Sequence, residues 1–270
     1  MMRILPVIVL YKCRLEDSKS FKSLLRKNHF ESIFVYDNSP EAQIIDLDNL
    51  LYIHDSGNSG LGVAYNVAAK YAREKRFDWL LLLDQDTTFP ELSYEYYVKA
   101  ISENPNIKLF APIHKISDGR YISPTRYICK GSHPVKTLKQ GVLKFSKAAP
   151  INSGMLINVE AFWNVGGYDE CVILDFSDIR FVEKFKKKYD VFFAIKEIVC
   201  LQDFSINVVD VRKLLTRFEI FLKCALMCKR EHWWDNMGYF IVTVKRALRL
   251  SVQCRDVVFI KKYFSNYLFK

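Results

Sequence analysis

Two carboxylates one residue apart close an apolar run at Trp79-Leu80-Leu81-Leu82-Leu83-Asp84-Gln85-Asp86. Apolar residues at every position of a short run predict a strand buried on both faces. An unpaired charge has no place in such a core. Asp84 and Asp86 therefore belong at the carboxyl end of the strand, the edge at which open α/β sheets bind ligands. Carboxylates this close repel unless a positive charge lies between them. A divalent cation carrying phosphate oxygens suits the pair, because Mg²⁺ takes one or two protein carboxylates and fills its shell with phosphate and water. The plain alternative is a strand that ends in a polar turn.

The elements around this tip repeat the arrangement. Apolar runs at 3–10, 32–36, 50–54 and 79–83 predict strands, and helical spacing at 16–27 and 63–75 predicts helices between them. Asp37 follows the second run, and Asn58-Ser59-Gly60-Leu61-Gly62 follows the third. Strands alternating with helices imply βαβ units and a mainly parallel, Rossmann-like α/β sheet flanked by helices, which brings these polar ends to one edge. The glycine turn lacks the Gly-Lys-Ser/Thr of a P-loop and the third glycine of a dinucleotide fingerprint. Further along, a helix is expected from 90 to 102, a strand at 107–113, irregular hairpins at 114–147, and a strand at 155–159. A short helix at 160–168, a helix at 176–189 and a strand at 191–200 follow, and the pattern is helical from 210 onward.

With 270 residues, half of them hydrophobic, the chain can bury a large core and is not disordered. The net charge of +10 is uneven: residues 211–270 hold 13 Lys or Arg against 4 acids. That basic tail suggests an anionic partner surface. Seven scattered cysteines form no secreted disulfide framework, so reduced thiols in a cytoplasmic protein are expected. Cys224, Cys228 and His232 lie four apart and have the donor types for zinc, though small apolar thiols on a packed face are the preferred reading. The amino terminus lacks the longer apolar region and small-residue site of a cleavable signal. No apolar run approaches the roughly 20 residues that span a bilayer.

Asp37-Asn38-Ser39, Asn58-Ser59-Gly60-Leu61-Gly62-Val63-Ala64-Tyr65-Asn66 and Leu82-Leu83-Asp84-Gln85-Asp86-Thr87 together resemble the family 2 glycosyltransferases of the GT-A fold, and within them the rhamnosyltransferase-like branch that builds bacterial surface polysaccharides. Asn152-Ser153-Gly154-Met155-Leu156-Ile157, Val165-Gly166-Gly167-Tyr168-Asp169-Glu170 and Leu174-Asp175-Phe176-Ser177-Asp178 are similar to later segments of that branch, in the same order. The resemblance covers residues 3 to about 225. It implies inverting, metal-assisted transfer from a nucleotide-diphospho-sugar to a saccharide or polyprenyl-linked acceptor. Leu10 and Tyr11 would flank the base of the donor and Asp37 would hydrogen-bond it. Asn58, Gly60, Gly62 and Asn66 would close over the nucleotide. Asp84 and Asp86 would be the Asp-x-Asp pair on Mg²⁺ or Mn²⁺. Asp178 matches the catalytic base, with Asp175 the runner-up. There are two departures: Arg180 stands where the family usually has a Glu, and Leu201-Gln202-Asp203-Phe204 replaces a segment that commonly carries a metal-binding His. Gln202 or Asp203 would supply the oxygen there.

Residues 1–209 are thus expected to form the GT-A domain, with a nucleotide half (1–110) and an acceptor half (111–209), and residues 210–270 a basic helical extension. Arg212, Lys213, Arg217, Lys245, Arg246 and Arg249 at near-helical spacings fit an interfacial helix at the inner face of a membrane. They equally fit a solvated face or a homodimer contact. No nucleic-acid motif is present. Two rivals remain open. One is a nucleotidyltransferase, disfavoured because Leu10-Tyr11-Lys12-Cys13 has no glycine-rich triphosphate loop. The other is a catalytically silent nucleotide-binding homologue in an assembly, to which Arg180 and the absent His lend weight.

Overall fold

The computed structural model describes residues 2–28, 30–116, 118–134, 140–202 and 210–268. Its first half holds β1 (Ile4–Leu10), β2 (Ile33–Asp37), β3 (Leu50–His54), α1 (Leu61–Glu74), β4 (Trp79–Asp84), the two-residue β5 (Thr87–Thr88) and α2 (Ser93–Glu103). Then come β6 (Leu109–Ile116), β7 (Tyr121–Ser123), β8 (Thr125–Ile128), β9 (Gly131–Pro134), β10 (Gly141–Lys144) and β11 (Leu156–Asn158). The last part holds α3 (Val159–Asn164), α4 (Ser177–Phe185), β12 (Val191–Gln202), α5 (Val211–Met227), α6 (Trp233–Cys254) and α7 (Val258–Tyr263).

The sheet runs β3-β2-β1-β4-β11-β6-β12-β10. Strands β3, β2, β1 and β4 are parallel, so Asp37 and Asp84 end the two strands that flank β1, on one edge. The second half is mixed, which refines the expected mainly parallel sheet. Strand β11 runs antiparallel to both β4 and β6, β12 is parallel to β6, and β10 is antiparallel to β12. A strand apolar on both faces reads the same in either direction, so the sequence carries no signal for this reversal.

Alternation along the central strands splits the core. Leu5, Val7, Val9, Leu80 and Leu82 face the alanines of α1 and the side of α3 and α4. Ile8, Leu10, Leu81 and Leu83 face α2 and the Phe21–Leu25 segment. Burying each such side chain contributes about 1.5–3 kcal/mol. The helix expected at 16–27 is instead a 3₁₀ turn (Leu15–Asp17) and one π turn (Phe21–Leu25). Ser18 and Ser20 between them donate their hydroxyls to carbonyls of the turn after β4, and such side-chain bonds compete with a regular helix.

Helices α5 to α7 build a third apolar cluster that takes in Val172, Phe176 and Ile179 from the segment before and within α4. Cys224 and Cys228 are buried in it, while the His232 ring stacks on Trp234 at 4.3 Å. Among the described residues no helix is long and apolar enough to cross a membrane. Helix α6 leaves Trp233, Met237, Phe240, Leu248 and Val252 exposed, a spacing that keeps them on one face.

Candidate active site

The acidic tip is held from behind. The Gln85 carbonyl accepts from Lys19 N at 2.8 Å and from Ser18 Oγ at 3.0 Å. Ser20 Oγ bridges the carbonyls of Asp84 and Thr87. The Gln85 amide accepts from Tyr11 N at 2.8 Å and donates to Tyr11 O at 3.3 Å, which locks the turn to the end of β1. Beyond it, β5 pairs with the end of β12, Thr87 opposite Gln202. Asp86 is exposed. Asp84 lines a cavity of about 380 Å³ together with Asp175, Asp178, Asn152, Gln202 and Arg217. Burial, and then the charges of Asp86 and Asp178, push the Asp84 carboxyl up to about 7. Tyr65 faces it with a buried hydroxyl that makes no well-formed hydrogen bond.

Gln202 Oε1 is buried without a partner and faces the same cavity. Two carboxylates and an unsatisfied amide oxygen are hard donors, the set that suits Mg²⁺ or Mn²⁺, so the residues present fit such an ion. Among the described residues no three His, Cys, Asp or Glu side chains form a metal-sized group. Asp203 lies outside the described residues.

On the edge expected to take the nucleotide, Leu10 is buried and Tyr11 exposed. Asp37 is fully buried, and its carboxylate is already engaged: it accepts from Ser39 N at 2.9 Å, Gln43 Nε2 at 2.7 Å and Tyr52 OH at 2.9 Å. Burial pushes its pKa up, but these hydrogen bonds outweigh that and hold it below the usual value. Asn58 takes a left-handed φ of 51° in a turn organised by Asp55, whose carboxylate accepts from Gly57 N at 3.0 Å and Ser59 N at 2.8 Å.

The rest of the glycine turn faces another part of the protein. A Cβ on Gly60 would stand 2.3 Å from the Ile173 carbonyl oxygen, and one on Gly62 2.9 Å from that of Asp169. Asn66 clasps the Tyr168 backbone, accepting from its N at 2.9 Å and donating to its O at 3.1 Å. These three residues thus press the 168–173 segment against α1, which sets the position of the acidic segment after it.

Asp175 and Asp178 have different surroundings. Asp175 is clamped by both terminal nitrogens of Arg217, one at 2.9 Å, and Arg246 stands 3.6 Å away. Between the two acids Phe176 adopts φ 67°, a region bulky residues rarely enter. Its ring is buried against Phe221 and Tyr239, and the packing holds the turn between the two carboxylates, both of which line the cavity. Asp178 accepts from Tyr127 OH at 3.0 Å and Ile179 N at 2.7 Å. Burial pushes its pKa up, with a smaller push from Asp175, against those hydrogen bonds. Asn152 donates to Ser177 Oγ at 3.1 Å and accepts from Tyr168 OH at 2.7 Å, tying the floor of the cavity to the start of α4.

Arg180 points away from this cavity. It pairs with Glu183 at 2.7 Å, Asp169 at 3.2 Å and Glu231 at 3.5 Å. Lys184 joins Asp169, and Lys130 joins Asp235 at the start of α6. The departure at Arg180 therefore belongs to a buried ion-pair network that fastens α4 to the C-terminal helices. Sequence reasoning missed Gln85, Asp55, Tyr127 and the Arg217 clamp. The roles of Gln85, Tyr127 and Arg217 rest on contacts with residues tens of positions away, whereas Asp55 organises its own turn and carried a local signal in Asp-Ser-Gly.

A model of the family described as Glycosyl transferase family 2 matches residues 7–166. The chain is similar to the dTDP-rhamnosyl transferase RfbF of Shigella flexneri, 25% identical over 183 residues, covering 65% of this chain and 60% of that protein. It is also similar to an uncharacterized glycosyltransferase of Haemophilus influenzae, 27% identical over 146 residues, covering 52% of this chain and 47% of that one. The chain thus spans 60% or less of either curated relative. The fold is similar to that of S. aureus TarS in complex with UDP, with TM-score 0.54 and 14% identity over 98% of this chain and 72% of that one. It is likewise similar to GalNAc-T7 with UDP, GalNAc and Mn²⁺, with TM-score 0.58 and 13% identity over 98% and 58%. The mixed sheet with its acidic tip and the family match over more than half the chain lead to one conclusion: this protein belongs to glycosyl transferase family 2.

Proposed function

We propose that the protein transfers a sugar from a nucleotide-diphospho-sugar to a saccharide hydroxyl, with inversion, using Asp178 as general base. The observation that carries this reading is the place of Asp178. It lines both the cavity that holds Asp84 and Gln202 and a second groove of about 550 Å³ that runs along α6. A base must touch the acceptor while the donor lies opposite it, and Asp178 is at the junction. Its raised pKa makes it a better proton acceptor near neutrality, and Tyr127 fixes its orientation. Asp84, Asp86 and Gln202 would hold Mg²⁺ or Mn²⁺, which when bound offsets the charge of the departing diphosphate. Asp37, braced by Gln43 and Tyr52, shapes the base-binding edge, and Gln85 fixes Tyr11 beside it.

In this reading residues 1–110 bind the donor, 111–209 the acceptor, and 210–270 form the extension that walls the acceptor groove. The relative named as a dTDP-rhamnosyl transferase makes dTDP-rhamnose the first donor to try, and the role we read from the resemblance is synthesis of a surface polysaccharide. The exposed apolar face of α6, with Lys245 and Arg249 on its flank, is read as a docking face for an anionic lipid surface. Trp233 and Trp234 at one end suit a membrane interface. The test is a panel of nucleotide sugars, dTDP-rhamnose and UDP-GlcNAc among them, incubated with Mn²⁺ and the full chain. Slow donor hydrolysis selective for one of them supports the enzyme. Nucleotide binding with no hydrolysis across the panel supports the silent homologue instead.

A further inference from the structure

The carboxylate that ends β2 has the position of a ligand-binding group and the surroundings of a structural one. Asp37 stands at the edge where open α/β sheets take their ligands, yet it has no exposed surface. Its Oδ1 accepts from Ser39 N at 2.9 Å, and its Oδ2 accepts from Gln43 Nε2 at 2.7 Å and Tyr52 OH at 2.9 Å. Ser39 follows Asp37 directly, and Tyr52 lies in β3, which pairs with β2, so the sheet fixes both. Gln43 is held differently. It lies in the connection from β2 to β3, beside Ile44, which is fully exposed, and near Leu47, which is also exposed. Its side chain nevertheless reaches across the edge. The same amide donates to Cys13 O at 3.2 Å and accepts from Leu15 N at 2.8 Å. It thus fills the space between Asp37 and the segment after β1, with an N–H on the carboxylate and its C=O on a backbone N–H.

We propose, resting on the reading of residues 1–110 as the donor half, that Gln43 is a plug in the site of the donor's base, occupying Asp37 and Leu15 N until the base takes its place. Uracil, thymine and guanine carry a ring N–H beside a C=O, the pair of groups that the Gln43 amide now presents. Such an edge remakes both hydrogen bonds once the amide has left, so neither partner is stranded. Gln43 also lines a cavity of about 390 Å³ with Leu15, Phe21, Ile45 and Leu47, which gives the displaced side chain a volume to enter. The exposed residues at 44 and 47 make few buried contacts, so shifting this stretch costs little. Nucleotide binding then requires the open form, and the apparent affinity is reduced by the fraction of molecules in that form. Gln43 therefore sets how tightly the base is held, and leaves the grip on the diphosphate alone.

Titration calorimetry of the full chain with Mn²⁺ and either UDP or dTDP compares the wild type with Gln43→Ala and Gln43→Glu. The alanine removes the plug, and the glutamate keeps its length but sets a second carboxylate against Asp37. Both variants are expected to bind the better of the two nucleotides on the order of tenfold more tightly, through faster association in stopped-flow mixing. Inorganic pyrophosphate with Mn²⁺ carries no base and is expected to bind all three proteins alike. Equal or weaker nucleotide binding by Gln43→Ala, or by Gln43→Glu should the alanine variant fail to fold, overturns the plug. Gln43 is then a brace between two loops, and the donor reading stands. A gain for pyrophosphate as large as the gain for nucleotide also overturns it, because the change then lies outside the base. Amide hydrogen exchange at Leu15 separates a plug from a loosened loop. It should rise in free Gln43→Ala and return to wild-type protection when nucleotide binds, and failure to return overturns the proposal. If none of the proteins binds either nucleotide while all bind pyrophosphate, the plug falls together with the nucleotide reading of this half.

Discussion

Asp175 and Asp178 lie three residues apart, yet one is a counter-ion and the other is the carboxylate we propose as the base. The difference comes from what each touches. Arg217 and Arg246 neutralise Asp175, whereas Asp178 meets Tyr127 and a backbone N–H inside a buried wall. Asp178→Asn is accordingly expected to lower kcat by about 10²–10⁴-fold, the range of a lost general base, with donor affinity unchanged in calorimetry. Unchanged turnover would remove Asp178 from the mechanism. Tyr127→Phe deletes a hydrogen bond that favours the charged carboxylate, so the pKa of Asp178 rises. The acid limb of the kcat/KM profile should move to higher pH, and a shift to lower pH would contradict the assignment.

At the scale of elements, the turns around β4 are fixed by groups outside the proposed mechanism. His114 is fully buried on β6 and holds Ser153 O through Nε2 at 2.8 Å, next to the Ser153–Thr87 hydroxyl pair. Burial depresses its pKa to about 4. In the unfolded chain His titrates near 6.5, so stability is level above that value and falls as pH drops from about 6.5 to 4, by about 3 kcal/mol in all. Acid unfolding of His114→Gln should lack this part of the slope. The network on α4 makes a second expectation. Arg180→Met removes the buried cation shared by Asp169, Glu183 and Glu231, which keep Lys184, Lys130 and Lys187 as partners, and should cost about 1–3 kcal/mol in denaturant unfolding. If the variant kept full stability, Arg180 would not be the fastening residue.

Strand ends were legible in the sequence because an apolar run that stops at a carboxylate has one sensible place to stop. The glycine turn was legible as a close approach, but not what approaches it: Gly60 and Gly62 make room for the backbone at Ile173 and Asp169, a hundred residues on. Arg180 was visible only as a departure, since the acids that surround it come from three separate segments. The reversal of β11 had no signature at all.

At the scale of the whole molecule, the positive excess of the last sixty residues is divided. Arg217 and Arg246 turn inward to the acidic segment, while Lys245 and Arg249 border the exposed apolar face of α6. That face is expected to bind vesicles containing anionic lipid, and Trp233→Ala/Trp234→Ala to weaken co-sedimentation by about tenfold or more, since each ring buries a large apolar area. A concentration-dependent dimer that the same substitutions dissolve, with no vesicle binding, would give the face to a second copy instead.

The proposed transfer depends on the edge where β1, β2 and β4 end holding a cation that carries the donor's diphosphate. The most direct measurement is calorimetry of a nucleoside diphosphate matched to the preferred donor, with and without Mn²⁺, on the wild type and on Asp86→Asn. The account predicts binding to the wild type that requires Mn²⁺ and is lost in the variant. Equal binding by both proteins, or binding indifferent to Mn²⁺, would contradict it.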